Sequence, residues 1–485
     1  MTSLLHVVGA RPNFMKVAPV LRAAAALPGT RQWLVHTGQH YDAAMSDSFF
    51  ADLELPEPEV NLGVGSASHA VQTGRIMIEF EPVLDRLKPD WIVVYGDVNS
   101  TVACALVASK KRVKVAHVEA GLRSRDRDMP EEINRILTDQ LADLCLTPSR
   151  DGDANLAEEG IAPERIRFVG NVMVDTLLHL RSRARELRAP ETYGVAGKPY
   201  AFVTLHRPSN VDQRETLAEL LKALDDLAGQ MPVVFPIHPR TRQRIQDFGL
   251  SDIAGRVTLL EPLGYLEALS LVEKASLVLT DSGGLQEETT VLGVPCLTAR
   301  PNTERPVTVT EGTNRLVPST RSAINAAVAD VLSRLGNGSF RPGRPEGWDG
   351  RAGERVAAAL VEPSALPAAG ARRYIVPRTD ARRRLGSHGA PLDSALATGT
   401  PGPADPPRVR DNRRPGRPLA QPPFGRDHHV RQCRHPGVRA PRHCAAVQDS
   451  PSVSLRPATS RSSGSGKISV AAPETRGSWS STSRE

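Results

Sequence analysis

Acids stand at the tips of two apolar runs in the first third of the chain. Tyr95-Gly96-Asp97 and His117-Val118-Glu119 each end a β-branched run in a carboxylate, and Met129-Pro130-Glu131-Glu132 opens a helical pattern with two more. Singly, each reads equally well as a helix N-cap or as a complement to the helix dipole. Together they would crowd carboxylates around one crevice, where repulsion and desolvation raise pKa values and make acid/base catalysts. The expectation is that Asp97, Glu119 and Glu131 share a site and that their crowding lifts their pKa values.

A second set of residues suits an anion. The run Leu277-Val278-Leu279-Thr280 passes through Asp281-Ser282-Gly283-Gly284 into a helical pattern, Leu285-Gln286-Glu287-Glu288. Two glycines allow close backbone approach, and the free N–H groups of a first helical turn attract a phosphate. The glutamates one turn on, Glu287 and Glu288, are placed to reach ribose hydroxyls. After the first apolar run come Gly9-Ala10-Arg11-Pro12 and Lys16, two cations at a helix start where the dipole disfavours them, so an anionic ligand is implied. His206-Arg207 and His238-Pro239-Arg240 repeat the theme at two further tips, and Arg305 lies close to the glycine turn in sequence.

Strands alternating with helices must position these tips. Leu4–Val8, Trp91–Tyr95, Val113–Val118 and Leu144–Thr147 read as strands of one half. Phe202–Leu205, Val233–Ile237, Val257–Leu260 and Leu277–Thr280 read as strands of the other. The stretches Phe14–Ala26, Thr101–Ser109, Glu131–Leu141, Arg214–Leu227 and Ser322–Leu332 read as amphipathic helices. The pattern predicts an α/β protein with two parallel sheets, covered on both faces, and ligands beyond the carboxyl ends of strands. The expected division is an N-terminal domain over 1–170, a second domain over 171–349 and a basic tail over 364–485.

Composition supports the division. From Ser364 onward about 21 Lys+Arg face about 8 Asp+Glu, leaving about 40 against about 46 before it, so the net charge of +7 describes neither part. The tail is rich in Arg, Pro, Ser and Gly, with little apolar periodicity, and reads as disordered. It also resembles out-of-frame translation of GC-rich sequence; a nucleic-acid-binding arm is the alternative, and its partner is unknown. His428, His429, Cys433, His435, His443 and Cys444 fit no standard zinc spacing. Five cysteines, odd in number and far apart, suit a reducing compartment, and no apolar run approaches a membrane span, so the body reads as soluble and cytoplasmic. The G-x-G-x-x-G, P-loop, H-E-x-x-H and G-x-S-x-G patterns are missing, which argues against bound NAD, P-loop ATP hydrolysis, a dedicated metal site and an α/β-hydrolase. No cofactor or metal is expected.

Gly9-Ala10-Arg11-Pro12 with Lys16, Gly96-Asp97, His117-Val118-Glu119-Ala120-Gly121-Leu122-Arg123, Pro130-Glu131-Glu132 with Asn134-Arg135, His206-Arg207, Asp281-Ser282-Gly283-Gly284 with Gln286-Glu287-Glu288, and Glu304-Arg305-Pro306 occur in this order. The series closely resembles the non-hydrolysing UDP-N-acetylglucosamine 2-epimerases, from about Leu4 to the helix near Arg355. The resemblance implies a glycosyltransferase-B-like fold, two Rossmann-like domains around a cleft, with a 350–362 helix returning to the first. It implies interconversion of UDP-GlcNAc and UDP-ManNAc through elimination of UDP to a 2-acetamidoglucal. Asp97, Glu119 and Glu131 become acid/base candidates, His206 an assistant at the diphosphate or leaving group, and His238 part of the substrate site. Arg11, Lys16, Ser282, Gly283, Gly284 and Arg305 would hold the diphosphate and Glu288 the ribose. A second UDP-GlcNAc acting as allosteric activator near Gln39, His40, Arg75 and Arg207, a homodimer, and a product destined for surface polysaccharide are further implications. The Leu263–Ala268 stretch, where relatives contact uracil, departs from some of them. A glycosyltransferase of the same fold, a hydrolysing epimerase and an idle UDP-sugar-binding protein are the alternatives. Retention of all three acids favours an active epimerase.

Overall fold

Thirteen strands form two wholly parallel sheets in a computed structural model that describes residues 1–39 and 50–362. In the first half lie β1 (Thr2–Val8), β2 (Thr30–His36), β3 (Val60–Asn61), β4 (Trp91–Tyr95), β5 (Lys114–Val118), β6 (Leu144–Thr147) and β7 (Ile166–Phe168). They are ordered β3-β2-β1-β4-β5-β6-β7. In the second half β8 (Ala201–Thr204), β9 (Val233–Pro236), β10 (Thr258–Leu260), β11 (Leu277–Thr280), β12 (Cys296–Ala299) and β13 (Asn314–Val317) are ordered β10-β9-β8-β11-β12-β13. The central strands β4 and β11 are buried along their whole length, which explains their unbroken apolar sequence: a parallel strand is covered on both faces.

The covering helices are α1 (Arg11–Ala25), α2 (His69–Leu87), α3 (Asn99–Lys110), α4 (Pro130–Leu141), α5 (Arg150–Glu158) and α6 (Val172–Glu186). Around the second sheet are α7 (Arg214–Ala228), α8 (Pro239–Asp247), α9 (Tyr265–Lys274), α10 (Gly283–Leu292) and α11 (Arg321–Gly336), and the described chain ends with α12 (Ala352–Val361). The eight strands and five helices expected from the sequence lie where the pattern placed them, with ends displaced by up to a few residues. Absent from that reading were the strands β2, β3, β7, β12 and β13 and the helices α2, α5, α8 and α9. Gly74 and Pro82 interrupt the helical pattern of α2, and the missed strands are short or carry Arg and Gln in mid-run.

Two elements hold the sheets in register with each other. Helix α6 packs on α1, where Thr176 Oγ1 donates to the Met15 carbonyl at 2.6 Å, and on α9, where Arg181 and Arg185 clasp Glu273. Helix α12 comes back onto α1 so closely that a Cβ on Gly353 would sit 2.7 Å from the Pro19 carbonyl oxygen, so the position requires glycine. Its first turn is capped from α6: Ala352 N and Gly353 N donate to the Asp175 carboxylate at 3.1 and 2.7 Å. Val356 and Leu360 thereby join the core built around Phe14, Val17, Tyr95 and Leu177.

In each sheet the strand order reverses once, between β1 and β4 and between β8 and β11. The loops leaving the carboxyl ends of those four strands part to opposite faces and leave a crevice. Lys16, Asp97 and Glu119 lie at the first crevice, and His206, His238 and Ser282–Gly284 at the second. Among the described residues no helix is long and apolar enough to cross a membrane. His40, the 364–485 segment and its His and Cys set lie outside the described residues.

Candidate active site

The first crevice is built by one asparagine. Asn13, in the first turn of α1, accepts from Gly9 N and Ala10 N at 3.1 Å through Oδ1 and donates from Nδ2 to the Tyr95 carbonyl at 2.8 Å. The loop after β1 is thus tied to the end of β4. Lys16, one turn later and buried, reaches beneath Gly96 to an ion pair with Glu119. Gly96 has φ +61°, and a Cβ there would lie 2.7 Å from Lys16 Nζ, so only glycine admits the ammonium. Glu119 itself has φ +75°, uncommon for a residue with a Cβ, and its N–H and that of Ala120 both donate to the Leu146 carbonyl at 3.1 Å.

Cations separate the acids. Asp97 pairs with Arg135, which also pairs with Glu132, and Glu119 is held by Lys16 and by Arg305, whose Nη2 lies 2.7 Å from Oε1. Burial pushes the Asp97 carboxyl up, but Arg135 and Lys16 more than offset it and hold it below the ordinary aspartate range. The expectation that crowding raises these pKa values is corrected for Asp97. The sequence interleaves Lys16, Arg135 and Arg305 among the acids, and attraction at ion-pair distance exceeds the desolvation penalty. Glu131 is exposed at the start of α4, with no hydrogen bond or ion pair to any described residue. Its neighbour Glu132 is the built-in member, accepting from Ser124 N, Ser124 Oγ and Arg125 N at 2.9–3.0 Å.

The second crevice is organised by a residue for which sequence reading assigned no role. Asp281 is fully buried at the end of β11 and accepts from His206 N at 3.0 Å, Arg207 N at 2.9 Å and Asn210 Nδ2 at 3.1 Å. It also pairs with His206 Nδ1 at 3.0 Å. A single carboxylate therefore fixes the loop after β8 and orients the His206 ring, which remains partly exposed. The His238 ring lies 5.9 Å away, and His238 Nδ1 accepts from Arg240 N as the cap of α8. Burial, His206, Arg240 and Arg11 all depress the His238 pKa.

Ser282, Gly283 and Gly284 open α10, and no side chain caps that first turn. Its N–H groups point out of an accessible helix end, as an anion site requires. A Cβ on Gly283 would meet Glu304 Oε1 at 2.7 Å and Arg305 Nη1 at 2.8 Å. Arg305 is the link between the crevices. From the loop after β12 it reaches Glu304, Glu287 at 2.8 Å and, across the cleft, Glu119. Arg300 supports Glu304 at 2.9 Å, and Asn171, at the start of α6, donates to Glu287 at 2.9 Å. Glu288 is buried beside them; burial and the neighbouring Glu287 push its carboxyl up to about 8.

The structure therefore brings Lys16, Asp97, Glu119 and Arg305 into one charge network and places His206, His238 and Ser282–Gly284 around the second crevice. Arg11 is exposed at the start of α1. Of the residues expected to take an effector, Gln39 is buried and accepts from Ser100 N and Oγ at 3.0 and 2.7 Å, bracing the start of α3. Arg207 donates from Nε to the Asp281 carbonyl at 3.1 Å, and Arg75 is exposed on α2. Asp281, Arg135 and Glu304 were the residues missed. The signal for Asp281 was present, a carboxylate directly after a buried strand and directly before Ser-Gly-Gly. Among the described residues no group of three or more His, Cys, Asp and Glu side chains is arranged to hold a metal ion.

Comparison with known proteins agrees with this geometry. The family model described as UDP-N-acetylglucosamine 2-epimerase matches residues 22–361. A UDP-N-acetylglucosamine 2-epimerase of Methanocaldococcus jannaschii is 43% identical over 365 residues, covering 73% of this chain and 98% of the relative. A UDP-2,3-diacetamido-2,3-dideoxy-D-glucuronate 2-epimerase of Pseudomonas aeruginosa is 41% identical over 363 residues, covering 74% and 99%. The crystal structure of the M. jannaschii UDP-GlcNAc 2-epimerase in complex with UDP-GlcNAc and UDP superposes with a TM-score of 0.67 at 41% identity, over 74% of this chain and 99% of that one. The chain belongs to the UDP-N-acetylglucosamine 2-epimerase family.

Proposed function

We propose that this protein interconverts UDP-GlcNAc and UDP-ManNAc at C2, with the diphosphate held by the second sheet and the sugar facing the acids of the first. The observation that carries the reading is the position of Glu119, a strand-tip carboxylate paired at once with Lys16 of its own sheet and Arg305 of the other. Arg11, Lys16, Arg305 and the Ser282–Gly283–Gly284 turn take the diphosphate, Glu288 the ribose, and His206, oriented by Asp281, and His238 sit on the diphosphate side. When the diphosphate draws Lys16 and Arg305 to itself, Glu119 is released toward the sugar. Asp97, Glu119 and Glu131 then supply the base and the acid. One removes the C2 proton as the C1–O bond breaks, and UDP leaves with the bonding pair, giving 2-acetamidoglucal. A proton returned to C2 on the opposite face, with UDP adding back at C1, completes the inversion. No electron is gained or lost, so the chemistry calls for no redox cofactor.

The same reading carries a homodimer, for which the exposed Val71 and Ile78 of α2 and Leu137 of α4 offer apolar surface, an activating second UDP-GlcNAc, and a cytoplasmic setting. Similarity to the Pseudomonas relative, close to that of the archaeal one, supports a second substrate, the corresponding diacetamido-glucuronate, epimerised at the same carbon. The test is proton NMR of the purified protein with each UDP-sugar in D2O. Appearance of the C2 epimer with deuterium at C2 supports the proposal, and the faster sugar identifies the substrate. Free UDP with ManNAc would instead indicate hydrolysis, and an unchanged spectrum from protein that binds UDP would overturn epimerisation.

A further inference from the structure

Beneath the two acid-bearing strand tips runs a chain of polar groups, buried except at its Glu159 end. His117, on β5, is fully buried with both ring nitrogens engaged. Nε2 lies 2.8 Å from the Gly96 carbonyl, to which it donates, and Nδ1 lies 2.6 Å from Asp139 Oδ1 on α4. The second oxygen of Asp139 accepts from Gly121 N at 3.1 Å and from Arg123 at 2.8 Å. Arg123 continues to Glu159 on α5's C-terminal side at 2.6 and 2.7 Å. Burial pushes the Asp139 carboxyl up, and His117 and Arg123 more than offset it, so it stays below the ordinary aspartate range.

The ends of this chain are informative. The Gly96 carbonyl belongs to the peptide unit that leads into Asp97, and Gly121 N lies two residues beyond Glu119. Both glycines have positive φ, +61° and +81°, and Glu119 shares that backbone region. The His–Asp pair therefore holds the glycine turns on either side of Asp97 and Glu119, and Glu119, with a side chain in the left-handed region, lies between residues fixed by it and by the Leu146 carbonyl. Such conformations persist only where surrounding contacts over-determine them.

We infer that His117 and Asp139 are positioning residues that set the separation of Asp97 and Glu119, and that their hydrogen bonds, not contact with substrate, make the proton transfer at C2 efficient. This rests on the epimerase reading. A displacement of about 1 Å in a reacting group costs on the order of 100-fold in rate. His117→Asn places an amide near the Nδ1 position and gives up the Gly96 link, whereas His117→Gln places one near Nε2 and retains it.

The experiment first measures wild-type turnover and C2 deuterium exchange with UDP-GlcNAc; their absence would sink the epimerase reading itself and leave the geometry of the brace to be judged separately. With both present, H117N is expected to lower kcat and C2 exchange together by about 100-fold while KM and UDP affinity stay within about twofold, and H117Q to recover most of the loss. Should H117N fail to fold, Asp139→Asn, which keeps shape while removing the charge beside His117, is read the same way. Folded variants that turn over like wild type, a rise in KM at unchanged kcat, or an H117Q no better than H117N would each overturn the inference.

Discussion

The acids of the first crevice and the glutamates of α10 at the second are treated in opposite ways. At the first, Asp97 and Glu119 alternate with Lys16, Arg135 and Arg305, and Asp97 is held below its ordinary pKa. At the second, Glu287 and Glu288 lie side by side on α10, where burial and mutual repulsion outweigh the pull of Arg305, and Glu288 is pushed up to about 8. The first arrangement keeps charge ready in the protein and must be unlocked by something anionic. The α10 pair keeps charge out, while beside it Asp281 and Glu304, despite their burial, are held below the ordinary carboxylate range by His206, Arg305 and Arg300, and an uncapped helix end and a partly exposed histidine are left to receive an anion. The proposed function divides chemistry and recognition between the sheets, and among the described residues Arg305 ion-pairs at both crevices.

Breaking the acid side should give the largest effect. Asp97→Asn and Glu119→Gln are expected to lower kcat by about 10²- to 10⁴-fold, the range of a lost general acid or base. The two should part company in UDP binding. Removing the Glu119 charge frees Lys16 and Arg305 for the diphosphate, so E119Q should bind UDP more tightly than wild type in calorimetry, while D97N should not. Weaker UDP binding by E119Q would mean that Glu119 supports the cations rather than competing for them.

Breaking the link comes next. Arg305→Met strands Glu119, Glu287 and Glu304 around an apolar side chain. Removing one partner of a buried ion pair costs about 3–5 kcal/mol. Chemical denaturation should show a loss of that order, and turnover should fall with UDP affinity. Replacing an exposed cation outside both crevices, such as Lys198, should leave both unchanged.

How much of this was legible follows the same division. The strand tips were, because a parallel strand announces itself as a short apolar run and its candidate residue follows at once; Asp97, Glu119 and Ser282–Gly284 were placed at strand ends that way. Pairings across the fold were not. Glu119 and Arg305 are 186 residues apart, and what brings them together is the docking of α6 on α1 and α9, which no local pattern encodes. Sequence could therefore assemble the acids but not the cations between them, which is why it predicted raised pKa values where Asp97 is depressed. Short strands such as Cys296–Ala299 went unread for a related reason: four residues carry too little periodicity to separate a strand from a loop.

On the recognition side the effects should be smaller. Gly283→Ala puts a methyl group against Glu304 and Arg305, which are locked in their ion pairs. The turn must shift, and UDP affinity should fall about tenfold, roughly 1.4 kcal/mol, with kcat at saturation little changed. A variant that binds UDP normally would show that the anion does not sit on this turn.

The smallest effect sharpens the comparison most, since it asks whether α10 really keeps charge off Glu288. Glu288 has an ordinary value of 4.5 and a folded value of about 8. Below 4.5 it is protonated in both states and its contribution to stability is fully present. Between 4.5 and 8 the unfolded chain ionises while the folded one keeps its proton, so that contribution is lost as pH rises. Glu288→Gln cannot ionise, and its melting temperature should gain on wild type between about pH 5 and pH 8. Asp97 has the opposite sign, its contribution disappearing only as pH falls through the acid range. If E288Q and wild type keep a constant gap from pH 5 to 8, Glu288 is ionised in the folded protein, and α10 holds charge just as the first crevice does. If the gap opens, Glu288 carries its proton at neutral pH and presents a hydroxyl donor as well as an acceptor to whatever hydroxyl approaches, which suits a ribose better than a second negative charge beside a diphosphate would.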